Sequence, residues 1–431
     1  MNYIILCGLW VSIMLAPALQ AAELDTVSRV RALQALQEGT DPAVTSLAHA
    51  DISLLKATLA LQAGKPKQAL DVLHSYANKS KNNDPLIDML EAEAYRRSAL
   101  LAVADAGEYA KQMQGKVQHL KDANLSQGLR EADVRLNAFL DHLDAVAGMP
   151  LDILQVDKSI YSIFLVDKAR SRMFVYARNA NGVLARVADE YIVTGSQLGD
   201  KQASGDARTP DGVYRFVKRL QGKSLEARYG PVAFPIDYPN ELDVLHHKNG
   251  YGIWMHGYAE GVGRRPPRDT KGCFALPNER LLAMSKYVKL GKSWVIVGEN
   301  FEFGDEKKRQ ALQASVEQTL ESWRKDWSAL DTPSYLNFYH EKFHSGKRDL
   351  SAWKRYKQRV NAHKSFVDVG ISNVTLIRDA KRWVEGEVVV AEFNQDYRSN
   401  NYQDSSRKRL YLARLDAQSP WRILIEESVK P

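Results

Sequence analysis

The chain has 431 residues, 45% hydrophobic and 26% charged, with a formal net charge of +7. At about 150 residues per domain that length points to roughly three domains, and the composition excludes a disordered or fibrous chain. The basic residues are scattered, with short clusters at Arg264-Arg265 and Arg407-Lys408-Arg409. No nucleic-acid motif accompanies them, so no nucleic-acid partner is expected.

Ile4 to Leu15 is almost wholly apolar, and small residues follow at Ala16, Ala18, Ala21 and Ala22. This predicts a secretory signal peptide over residues 1–22, hence export to the periplasm. The chain has two cysteines, Cys7 and Cys273. Loss of Cys7 with the leader leaves Cys273 as a single thiol with no internal disulfide partner.

Residues 23–150 read as helices. Leu54, Leu55, Ala57, Leu61, Ala69, Leu70 and Leu73 keep helical spacing, broken at Gly64-Lys65-Pro66, and a second unit opens at Pro85. Helix pairs with short Gly turns resemble tetratricopeptide-type hairpins. A generic helical bundle fits equally well.

From 151 to 303 the pattern turns to strands. Runs at 161–166 and 171–176 flank a short turn and read as a hairpin. Further strands are expected at 190–194, 212–218, 252–256 and 293–298, with a helix near 278–290. A mainly antiparallel β-domain follows. A third block, 304–431, opens with a helical run at 316–329 and continues with aromatic-rich helices at 335–343 and 352–360. Strands are expected at 366–376, 383–397, 408–415 and 421–427. This order resembles the nuclear transport factor 2 (NTF2)-like α+β fold. The fold class is therefore multidomain α+β.

The chemistry-bearing stretch is Gly252-Ile-Trp-Met-His256-Gly257, with sixteen residues between His256 and Cys273, the latter within Thr270-Lys-Gly272-Cys273. A thiol near its free pKa of about 8.5 gives little thiolate at neutral pH, and an imidazole can take its proton. A sharp turn at Gly272 can bring backbone amides beside the sulfur, as an oxyanion hole requires.

These residues resemble the L,D-transpeptidase (YkuD) catalytic domain, and Thr209-Pro210-Asp211-Gly212-Val213-Tyr214 upstream looks like its strand-entry motif. The resemblance covers about residues 155 to 300. It implies Cys273 as nucleophile, His256 as base and the Gly257 carbonyl as the group that orients the imidazole. It also implies that Gly272, Cys273 and Thr270 help hold the oxyanion, with Tyr229 as a substrate contact. Many members carry Arg two residues beyond the nucleophile; here Ala275 stands there, and Arg264 and Arg265 are candidates to compensate. Gly-Cys-Phe-Ala-Leu-Pro-Asn, with Tyr229-Gly-Pro upstream, resembles the YafK-like branch, which includes cell-shape-determining L,D-carboxypeptidases with a C-terminal NTF2-like domain.

Other candidates carry less. His246 and His247 would point to opposite faces of a strand, with no third ligand suitably spaced, so no metal is expected. Asp200, Asp206 and Asp211 read as a solvated loop, and no cofactor loop is visible. The expectation is an exported cysteine acyltransferase acting on the L,D amide of peptidoglycan stem peptides, either cross-linking or trimming them. A non-catalytic wall-binding scaffold is the alternative. A homodimer, or a cell-wall protein bound through the helical region, would be the protein partner. Because the motifs end before 300, a chain ending near 303 is expected to keep the reactive cysteine.

Overall fold

The fold is taken from a computed structural model, which describes residues 34–38, 49–77, 85–101, 132, 136, 149–262, 265, 267–299 and 301–429. The expected leader, Arg264 and most of 102–148 lie outside these.

Three helices, α1 (His49–Gln62), α2 (Pro66–Ala77) and α3 (Pro85–Leu101), follow the sequence breaks closely. Pro66 and Pro85 each open a helix, where a missing N–H leaves no bond unmade. Leu54, Leu61, Leu70, Leu73, Leu90 and Tyr95 share one core.

The second block begins with β1 (Ile153–Gln155), β2 (Ser162–Asp167), β3 (Arg172–Arg178), β4 (Leu184–Tyr191), β5 (Thr194–Gly195) and β6 (Gly212–Arg215). It continues through β7 (Leu220–Gln221), β8 (Val232–Pro235), α4 (Glu241–Leu245), β9 (Trp254–His256), β10 (Arg268–Thr270), β11 (Phe274–Ala275), α5 (Asn278–Ser285) and β12 (Ser293–Gly298). Two main sheets result, in the orders β4-β3-β2-β12-β6 and β11-β9-β8-β7, with a small third sheet of β10 and β5. Phe164, Val175, Tyr214, Phe234, Met255 and Phe274 fill the space between the two main sheets. The sheets are mainly antiparallel, as expected, with parallel pairings of β12 to β2, β11 to β9 and β10 to β5. Every residue of β2 and of β12 is buried. A strand apolar on both sides is one covered on both faces.

The third block comprises α6 (Glu306–Ser328), α7 (Thr332–Leu336), β13 (Tyr339–Ser345), β14 (Arg348–Asp349), α8 (Leu350–Asn361), β15 (Val367–Arg378), β16 (Glu387–Ser399), β17 (Tyr402–Arg414) and β18 (Arg422–Val429). Its sheet runs β1-β15-β16-β17-β18-β13-β14. The helix expected over 335–343 stops at Leu336, and β13 takes the rest by pairing with β18, Tyr339 opposite Ile423. Long-range pairing overrides local propensity there. β1 precedes the catalytic sheets in sequence yet pairs with β15 of the third block, Ile153 opposite Ile377.

The two blocks share a core. Ile163, Leu165 and Ile296 from the catalytic sheet pack in one cluster with Val388, Val390, Leu424 and Ile425 from the third block. Fully buried Glu392 accepts a hydrogen bond across this seam from Arg215, and others from Arg407 and Arg409 on the neighbouring strand β17. Burial pushes its carboxyl upward, yet the three guanidinium groups win and hold it below the usual range. Arg215 lies over the Trp294 ring at 4.5 Å.

The acidic loop is not the solvated one the sequence suggested. Asp200 contacts Lys248 at 2.7 Å and Lys381 at 2.5 Å, while Asp211 meets Lys168 at 2.7 Å. Asp206 accepts the amides of Gln202, Ala203 and Arg208. His246 is not on a strand. It follows α4, stacks on Trp383 at 4.5 Å and lies 3.1 Å from Glu385.

Candidate active site

β9 carries His256 and β11 begins one residue after Cys273. In their parallel register Ala275 pairs with His256 and Phe274 with Met255. Side chains alternate along a strand, so extending the register by one residue sets Cys273 level with Trp254, on the face that carries His256. Sixteen intervening residues thus return the cysteine to the strand beside its candidate base.

The turn before Cys273 is built on backbone clearance. Gly272 has φ of 120°, and a β-carbon there would sit 2.7 Å from the Arg208 carbonyl oxygen. Only glycine fits. The Thr270 hydroxyl donates to the Cys273 carbonyl at 2.6 Å and accepts the Gly272 N–H at 3.1 Å. Gly272 and Thr270, two of the groups implied as oxyanion donors, are therefore engaged with the turn itself. The Cys273 thiol donates to the Gly252 carbonyl at 3.4 Å. No hydrogen bond joins the sulfur to the imidazole among the described residues.

His256 is buried, and its Nδ1 lies 2.5 Å from the Gly257 carbonyl oxygen. A carbonyl only accepts, so Nδ1 carries the proton and Nε2 keeps its lone pair. Burial pushes the imidazole down to about 4; the Gly257 carbonyl opposes this, while Arg265 and Arg228 add to it. Burial also pushes the Cys273 thiol up to about 11, outweighing the Trp254 backbone and the cations Lys201, Arg265 and Arg228. At neutral pH both the thiol and the imidazole are therefore neutral.

Tyr229, implied as a substrate contact, is in place as a wall of the base. Its ring stands edge-on to His256 at 5.0 Å and lies 4.8 Å from Trp254, and its carbonyl accepts the Gly257 N–H at 2.9 Å. Arg265 is bonded to Asp269 and covers the Tyr258 ring at 5.4 Å. Asn278 had no role in the sequence reading, although it ends the Leu-Pro-Asn run. Its amide oxygen accepts the Tyr258 N–H at 2.8 Å and its amide nitrogen donates to the Tyr258 carbonyl at 3.0 Å. A β-carbon on Gly257 would sit 2.1 Å from that same oxygen. Asn278 therefore braces the residue after Gly257, and through it the carbonyl that fixes the imidazole.

Residues 161–297 match the family model of the L,D-transpeptidase catalytic domain. These residues form an L,D-transpeptidase domain. Residues 315–427 match the Cds6 C-terminal NTF2-like domain. The chain therefore joins a helical region, an L,D-transpeptidase domain and an NTF2-like domain, and the second makes it an enzyme acting on peptidoglycan. Among solved structures it is similar to the helical cell shape determining protein Pgp2 of Campylobacter jejuni, at 28% identity and a TM-score of 0.53. That match covers 65% of this chain and 93% of Pgp2. Bd1075 of Bdellovibrio bacteriovorus shares the fold at 22% identity and a TM-score of 0.57, over 66% of this chain and 99% of its own. No curated protein matches the chain.

Proposed function

We propose that the protein is an exported cysteine acyltransferase that trims peptidoglycan tetrapeptide stems at their L,D amide. The observation that carries this reading is the Nδ1–H donated to the Gly257 carbonyl. It leaves a basic Nε2 on the strand in register with the Cys273 turn.

In the proposed cycle, rotation about the Cys273 Cα–Cβ bond carries the sulfur from the Gly252 carbonyl to Nε2. Nε2 takes the thiol proton as the sulfur attacks the carbonyl between the third stem residue and the terminal D-alanine. The C–S bond forms, the C–N bond breaks, and the imidazolium returns its proton to the departing amine. The Cys273 amide is the candidate oxyanion donor, since Gly272 and Thr270 are engaged with each other. Water, deprotonated by His256, then attacks the thioester; a C–O bond replaces C–S and the thiol regains its proton. Arg265 and Arg228, whose charge reaches both reacting residues, would attract the carboxylates of the stem.

Water is favoured as acceptor because the chain resembles a cell-shape-determining protein over nearly all of that protein's length. An amine acceptor, giving a cross-link, is the second reading, because the same thioester serves both. Incubating full-length protein with tetrapeptide muropeptides and weighing the products separates them. Tripeptides with no dimers support trimming, and dimers support cross-linking. Binding with neither product would leave a wall-binding scaffold.

A further inference from the structure

Gly250, Tyr251 and Gly252 form the tip of the loop entering β9. Both glycines sit at positive φ, 108° and 75°, which turns the chain sharply on either side of the tyrosine. Tyr251 is 86% exposed, more than any other large apolar side chain among the described residues. Its ring has no hydrogen bond or ring contact among them.

The loop beneath it is nonetheless braced. Asn249 donates its N–H to the Gln202 carbonyl at 3.1 Å and accepts the Ser204 N–H on its side chain at 2.9 Å. The Tyr238 hydroxyl donates to the Asn249 carbonyl at 3.1 Å. A β-carbon on Gly250 would lie 3.2 Å from Lys201 Cε, so the tip packs closely on the 201–206 turn. On the other side, Gly252 presents the carbonyl that receives the Cys273 thiol at 3.4 Å. Backbone dimensions then put the Tyr251 Cα within about 10 Å of the sulfur.

A solvated tyrosine on a fixed backbone beside a nucleophile contributes nothing to the core. It offers a flat, rigid face with a hydroxyl at its edge, at little entropic cost on binding. A pyranose ring has the matching surface, with C–H groups on its faces and hydroxyls around its rim. In a tetrapeptide stem, three residues lie between the glycan and the scissile carbonyl, a span of at most about 11 Å. A sugar bearing the stem therefore falls within reach of the Tyr251 ring when the amide sits at Cys273.

We propose that Tyr251 is a stacking platform for a sugar of the glycan strand, so that the enzyme selects glycan-linked stems over free peptides. This rests on the stem-peptide reading of the Cys273 site. The test compares disaccharide tetrapeptide with free tetrapeptide as substrates of the full-length chain. In Tyr251→Ala the ratio of kcat/KM between the two should fall about fivefold to tenfold, through KM of the disaccharide substrate. Tyr251→Trp should restore the ratio. An unchanged ratio in Tyr251→Ala, whether both substrates hold or decline together, overturns the platform. A wild-type enzyme that trims neither substrate removes the stem-peptide reading first, and the platform with it.

Discussion

The N-terminal helices and the body from 149 to 429 bury their apolar surface in different ways. Helices α1 to α3 close a core of their own, whose members all come from residues 54–132. The L,D-transpeptidase domain does not. One face of its five-stranded sheet packs on the second sheet, and the other packs on strands of the NTF2-like domain. A boundary between motifs is thus no guide to a boundary between folding units. The two C-terminal domains stand as one body, with β1 and Glu392 as its stitches.

The largest effect should come from cutting that body. The sequence suggested that a chain ending near 303 would keep a reactive cysteine. Such a chain would instead uncover Ile163, Leu165, Trp294 and Ile296, each worth about 1.5–3 kcal/mol when buried. The truncated chain is expected to show no cooperative melt by circular dichroism and no carbapenem adduct at Cys273 by mass. A sharp melt with full acylation would restore the boundary at 303. A milder break is Glu392→Ala, which leaves three guanidinium groups around an empty site. Removing one partner of such a cluster costs about 3–5 kcal/mol, and denaturant unfolding should show the whole body losing stability in one transition. A loss confined to the C-terminal sheet would argue against a single unit.

The local features were legible before the structure. The 161–176 hairpin, the helix breaks at Gly64 and Pro85, and the return of Cys273 to His256 all follow from turn residues and short-range spacing. What stayed hidden depends on partners far away in sequence. Nothing near Ile153 announces that it will pair with Ile377, and nothing in Tyr339 to Phe343 announces a strand until β18 lies beside it. The engagement of Thr270 with Gly272 is local, yet it is a matter of side-chain rotamer that spacing cannot reveal. The ionisation of the thiol depends on burial by the whole domain.

That ionisation gives a prediction of intermediate size, set inside the body. A thiol raised to about 11 stays protonated through neutral pH, and an imidazole lowered to about 4 stays unprotonated above that value. Turnover on tetrapeptides should therefore fall as pH drops toward 4, when Nε2 gains its proton, and should show no inflection near 8.5. Alkylation of Cys273 by iodoacetamide should climb only at strongly alkaline pH. His256→Ala should lower turnover by about a hundredfold or more. An alkylation inflection below that of a free thiol would show an ion pair at rest instead.

The smallest effect is expected where the cores do not mix. A chain starting at 149 keeps the bridge between Pro150 and Phe303, the Leu151 N–H bond to the Glu302 carbonyl at 2.9 Å, and β1. It removes the helical core, which among the described residues shares no member with the other three principal clusters. Surface substitutions away from packed features usually stay within about 0.5 kcal/mol, roughly a factor of two, and the same bound is expected where no shared core is cut. Carbapenem acylation of Cys273 in this shorter chain should therefore match the full chain within about twofold, with one cooperative melt. A failure to melt cooperatively would make the helices part of the body's fold. If acylation survives while binding to intact sacculi weakens, the helices act outside the chemistry, and their exposed faces become the surface through which the wall or a wall protein is held.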